Sequence, residues 1–137
     1  MKRILGLIVF VSFQSIGADI YSIDVFVNHE QASRVKNCHD NCQIYDLDST
    51  EVLLNSFFGE LSSDIDEAYS VVEKKLNLPE WKTHEAQIIE AQKTITKAFY
   101  LGVKKYPAIV INEKNVIYGI TDVARAVNDF MSNEDNR

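Results

Sequence analysis

The sequence predicts one small α/β domain behind an export signal. Three observations carry that reading: strand-length apolar segments near both ends, amphipathic helical spacing between them, and a basic then apolar leader. In Ile20 to Val27, Tyr21, Ile23, Val25 and Val27 alternate with Ser22, Asp24 and Phe26, which is the period of a strand. Asn28 ends it. Glu30 to Lys36 has room for a short helix, and Asn37-Cys38-His39-Asp40-Asn41-Cys42 is turn chemistry. Gln43 to Leu47 alternates again as a second strand. Asp48-Ser49-Thr50-Glu51 then has the acid, hydroxyl and three-residue spacing of a capped helix start. Val52, Leu53 and Phe57 share the face of that helix, and Gly59 ends it.

Ser62-Ser63-Asp64 opens the next helix, in which Ile65, Ala68, Tyr69, Val72 and Leu76 fall on one helical face. Asn77 and Pro79 close it. Beyond them Trp81, Ile88, Ile95 and Phe99, with Ala91 and Ala98 alongside, mark a long helix ending near Gly102. The period then changes. Ala108 to Ile111 is a continuous apolar run suited to a buried strand, Asn112 to Asn115 makes a turn, and Val116 to Tyr118 returns antiparallel. Thr121-Asp122 starts a final helix through Val123, Ala126, Val127 and Phe130. The predicted order is strand, short helix, strand, three helices, two strands, helix.

The leader sets the compartment. Lys2 and Arg3 precede the apolar run Ile4 to Phe13, and Ser15-Ile16-Gly17-Ala18 offers the small residues of a cleavage site, so residues 1–18 read as a signal peptide cut after Ala18. The apolar run is about half the roughly 20 residues a membrane span needs. No later stretch is long enough either. The expected organisation is signal peptide 1–18, one domain over 19–131 and a polar C-terminal tail over 132–137.

Charge narrows the partners. The whole chain carries a formal net charge of −6, and losing Lys2 and Arg3 with no acid takes it to −8. Such a surface repels phosphate, and Lys104-Lys105 is too short a basic cluster for a nucleic-acid stripe. Direct nucleic-acid binding is therefore not expected; protein partners are. Asp64, Asp66 and Glu67 read as first-turn acids that favour a helix dipole. His39 and His84 read as solvent-exposed polar residues. No cofactor, metal site or catalytic constellation is indicated.

The block Leu101 to Met131, LGVKKYPAIVINEKNVIYGITDVARAVNDFM, resembles the C-terminal half of the thioredoxin fold: a helix, a Gly-Val step into X-Pro, a β-hairpin, a glycine and a covering helix. That resemblance implies a central mixed sheet of about four strands with flanking helices, and a cis Tyr106-Pro107 bond turning into the third strand. A second likeness spans the mature chain in outline. Tyr45-Asp46-Leu47-Asp48, Tyr106-Pro107-Ala108 and Tyr118-Gly119-Ile120-Thr121-Asp122-Val123-Ala124 are similar to the strings of a family of small exported proteins encoded in the transfer regions of integrating conjugative elements. This implies periplasmic work beside a type IV secretion apparatus.

The thioredoxin likeness makes cysteine position the key to function. A redox pair of that fold follows the first strand at a helix N-terminus, where the dipole lowers a thiol's pKa; here Asn28-His29-Glu30-Gln31 stands there. Cys38 and Cys42 come about ten residues later and should lie at the pole away from Pro107. Three readings remain: a structural disulfide, which an oxidising compartment favours, a redox pair, or a zinc site with His29 and His39, whose spacing matches no standard finger. The loop at Tyr106 and Pro107 is the candidate peptide-binding site, by strand addition. Tyr100, Tyr106 and Tyr118 either ring that site or simply pack. The expected function is that of a non-enzymatic interaction or assembly factor in conjugative transfer, with a thiol-disulfide oxidoreductase or isomerase as the alternative.

Overall fold

The computed structural model describes residues 19–134. The expected signal peptide falls outside them. Four strands form one mixed sheet in the order β2-β1-β3-β4, made of β1 (Ile23–Val27), β2 (Cys42–Asp46), β3 (Ala108–Ile111) and β4 (Asn115–Tyr118). β1 pairs parallel with β2 and antiparallel with β3, and β3 pairs antiparallel with β4. Helix α1 (His29–Ala32) connects β1 to β2; α2 (Ser49–Phe58), α3 (Ile65–Leu76) and α4 (Trp81–Tyr100) connect β2 to β3; α5 (Val123–Glu134) follows β4. This is the predicted thioredoxin-like arrangement, and Tyr106-Pro107 is cis. Among the described residues no helix is long and apolar enough to cross a membrane.

Strand alternation sorts the core into two layers. Ile23, Val25, Val27, Ile109 and Ile111 face Val123, Ala126 and Phe130 of α5. Phe26, Ala108 and Val110 face Ala98 of α4 on the other side. Both central strands are buried on both faces, which is why Ala108 to Ile111 reads as an unbroken apolar run. Asp24 is the exception, a buried carboxylate beneath α4. Its Oδ1 accepts from Lys97 Nζ at 2.8 Å, and the same ammonium donates to the Tyr45 hydroxyl at 2.7 Å. Lys97 also lies 4.7 Å from the Tyr45 ring centroid, and that ring stacks on Phe26. Burial pulls the Lys97 pKa down, but its bonds to Asp24 and Tyr45 and the nearby carboxylate outweigh that, so the net shift is upward.

The helices between β2 and β3 leave part of their predicted apolar faces uncovered. The face of α3 formed by Ile65, Tyr69 and Leu76 is turned to solvent, with Ile65 82% exposed. The helix is tied down along the half-buried Ala68, Val72 and Lys75, where Lys75 donates to the Phe57 carbonyl and lies over the Phe57 ring. Phe57 is the centre of an aromatic cluster with Phe58, Trp81 and His84. His84 is thus half-buried with its ring 4.5 Å from that of Phe57, and not a solvated side chain. On α4 the buried line runs through Ala91 and Ala98, while Ile95 and Phe99 point outward. α5 continues to Glu134, beyond the expected start of the tail at 132, with Ser132 donating to the Asn128 carbonyl.

Candidate functional site

The end of α4 builds one pole of the molecule. Val103 N–H bonds to the Ala98 carbonyl and Gly102 N–H to the Phe99 carbonyl, with Gly102 at φ +71. This paired closure needs a left-handed residue just after the helix, which glycine adopts without a Cβ clash. Its consequence is direction: the chain leaves the helix towards Lys104, Lys105, Tyr106 and Pro107. Tyr118 holds the exit, its hydroxyl accepting from Lys104 N–H at 3.2 Å and lying 3.5 Å from the Gly102 carbonyl. Between this exit and β2 lies a groove of about 400 Å³, with Leu47, Ile95, Ala98, Phe99 and Val103 along it and Asp48, Lys104, Lys105 and Tyr106 at its edges. Phe99 is 86% exposed. Among the described residues neither the N–H nor the C=O of Tyr106 has a hydrogen-bond partner.

The strand-to-helix junction where a thioredoxin would carry its thiols lies at the same pole, because Phe26 pairs with Ala108 next to Pro107. Asn28 caps α1 by accepting from Gln31 N–H at 2.8 Å, and the Gln31 side chain accepts from Asn28 N–H in return. His29 Nδ1 is 2.6 Å from Asp46 Oδ2, and His29 N–H donates to Asp48 Oδ2 at 3.2 Å. Asp48 begins α2 without capping it, since its carboxylate is drawn back to His29. The expected capping arrangement at Asp48 to Glu51 is therefore replaced by a link between α1 and the end of β2. Sequence reasoning missed this link: His29 and Asp46 are 17 residues apart and meet only because β1 and β2 run parallel.

Cys38 and Cys42 are bonded to each other, with Cα atoms 5.3 Å apart. Cys42 pairs with Ile23 at the start of β1, whereas Ala108 pairs with Phe26 three residues further along. Three strand residues span about 10 Å, so the bridge occupies the pole opposite Pro107. His29, at the Pro107 pole, does not converge with the two sulfurs. Among the described residues no group of three or more His, Cys, Asp or Glu is placed to hold a metal ion. The loop carrying Cys38 is stitched to the start of α5, where Asp122 Oδ1 accepts from Asn37 Nδ2 at 2.8 Å and from the N–H groups of Ala124 and Arg125. The Asn37 bond, helped by those N–H groups and by Lys36 against a burial cost, holds the Asp122 carboxyl below its ordinary range.

Of the three tyrosines, Tyr106 edges the groove and is about half exposed, Tyr118 braces the loop behind it, and Tyr100 is exposed beside Phe99. Pro107 follows directly and its carbonyl accepts from Gly119 N–H. The groove's apolar residues were legible only as residue types; Ile95 and Phe99 carry helical spacing that equally suits a core face.

Fold and site together define a thioredoxin-like α/β module with no thiol at the strand-to-helix junction and with an open apolar groove beside its cis-proline loop. The chain belongs to the family described as Protein of unknown function (DUF1525), whose model matches residues 22–133. No curated protein and no solved structure matches it.

Proposed function

We propose that this is an exported, non-enzymatic binding module that acts in conjugative DNA transfer as an assembly or interaction factor of the secretion apparatus. The observation that carries the binding role is the Tyr106 pole: an apolar groove next to a backbone N–H and C=O that no described residue uses. An extended segment of another protein gains main-chain bonds at such an edge and side-chain burial in the groove. The junction residues Asn28 to Gln31 are spent on capping α1 and offer no nucleophilic sulfur. The leader Met1 to Ala18 supports export, and the strings at Tyr45, Tyr106 and Tyr118 support the conjugative setting.

Cells carrying the transfer locus provide the test. Deleting the gene should lower transfer, and a Cys38→Ser/Cys42→Ser variant should restore it at permissive temperature, while Tyr106→Ala with Phe99→Ser should not. A photo-crosslinking residue at position 106 should capture a component of the apparatus. Insulin reduction or disulfide reshuffling by the purified protein, abolished by Cys38→Ser alone, would replace this reading with that of a thiol-disulfide oxidoreductase.

A further inference from the structure

The rim of the groove is charged asymmetrically. Lys104 and Lys105 stand exposed on one side, and neither has a carboxylate within ion-pair distance among the described residues. Lys105 instead rests with its Nζ 5.2 Å from the Tyr118 ring centroid. In a chain of net charge −6, two adjacent cations left without acid partners beside an open apolar surface are a local reversal of sign. On the β2 side the rim charge is Asp48, whose Oδ2 is already engaged by His29 N–H. Leu47, Ile95 and Val103 line the same groove, together with the exposed Phe99.

Resting on the binding role proposed above, we infer that the groove selects a partner segment in which a large apolar side chain is flanked by carboxylates. The apolar side chain lies on Leu47, Ile95 and Val103, the carboxylates meet Lys104 and Lys105, and the segment's backbone pairs with Tyr106. Exposed ion pairs are individually weak and screened by salt. The apolar contact therefore supplies most of the binding, and the lysines decide which segment binds.

Fluorescence anisotropy on the purified exported protein tests this with three labelled octapeptides, alternating Leu with Glu, Gln or Lys. The Leu-Glu peptide should bind best and the Leu-Lys peptide worst, with a several-fold spread that shrinks as salt is raised from about 50 to about 500 mM. Lys104→Glu/Lys105→Glu should reverse the order; Ile95→Ser/Phe99→Ser should weaken all three peptides alike. These side chains are exposed, and an unchanged melting temperature checks that each variant is folded. Equal binding of the Glu and Gln peptides, or an order that the lysine variant leaves intact, overturns the charge selection and leaves the groove standing. Binding of none of the peptides, or binding indifferent to Ile95 and Phe99, overturns the groove as well. The salt series on the unaltered protein decides the charge question independently of any variant.

Discussion

Lys97→Met would leave the Asp24 carboxylate buried under α4 with neither a cation nor a donor. Removing one member of a fully buried pair typically costs about 3 to 5 kcal/mol, and less here because Lys97 is a third exposed, whereas replacing both members by apolar groups is often close to neutral. Chemical denaturation should therefore find Lys97→Met clearly destabilised and Asp24→Val/Lys97→Met more stable than that single variant. The pair has a pH signature of definite sign. Lys97 is raised above 10.5 when folded, so its contribution is complete below lysine's unfolded pKa and is lost as the pH climbs through the higher folded value. Asp122 works at the opposite end of the scale. Its folded pKa lies below 3.8, so its contribution is present above that value and disappears as the pH falls through the lowered one. Asp122→Ala should melt at a lower temperature than the unaltered protein at neutral pH, and the gap should narrow as the pH falls below the ordinary carboxylate range.

Among the elements, α3 shows where sequence and structure part. Its bounds are as predicted, and Asp64 caps it through Asp66 N–H and Glu67 N–H, because capping is local and the chain writes it in a few adjacent residues. Its packing is not local. Ile65, Tyr69 and Leu76 have the spacing of a core face, yet α3 stands against α2 and away from the sheet, held by Lys75 and the Phe57 cluster. The same ambiguity hides the groove, since a broad apolar arc on α4 reads identically whether all of it is buried or its edge, at Ile95 and Phe99, is left open. β3 was legible because burial on both faces leaves an unbroken apolar run, and the His29–Asp46 contact was not, because it exists only after the strands pair. Two substitutions separate the cases. Phe57→Ala, in the half-shell of Trp81 and His84, should cost about 3 kcal/mol or more. Ile65→Ala should stay within about 0.5 kcal/mol, since the side chain is already in water. Thermal melts of the two variants side by side give the comparison.

The whole molecule divides between its two poles: groove and cis-proline loop at one, disulfide at the other. Joining Cys38 to Cys42 closes only a short loop, so the entropic gain is at the low end for disulfides. Cys38→Ser/Cys42→Ser should lose about 1 to 3 kcal/mol in denaturant titration and leave the groove's peptide affinity unchanged. The disulfide pole is also where the described chain begins. Asn112 Nδ2 donates to the Asp19 carbonyl, its Oδ1 accepts from Tyr21 N–H, and Asn41 Nδ2 donates to the Ile20 carbonyl. A tether fused ahead of Asp19 therefore pulls on the end of the sheet furthest from Tyr106. Captured on a biosensor chip through an N-terminal biotin, the protein should present its groove to the flowing analyte and show the same affinity as in free solution. Coupling through a cysteine introduced in place of Lys104 should abolish that signal, because the groove would then face the chip.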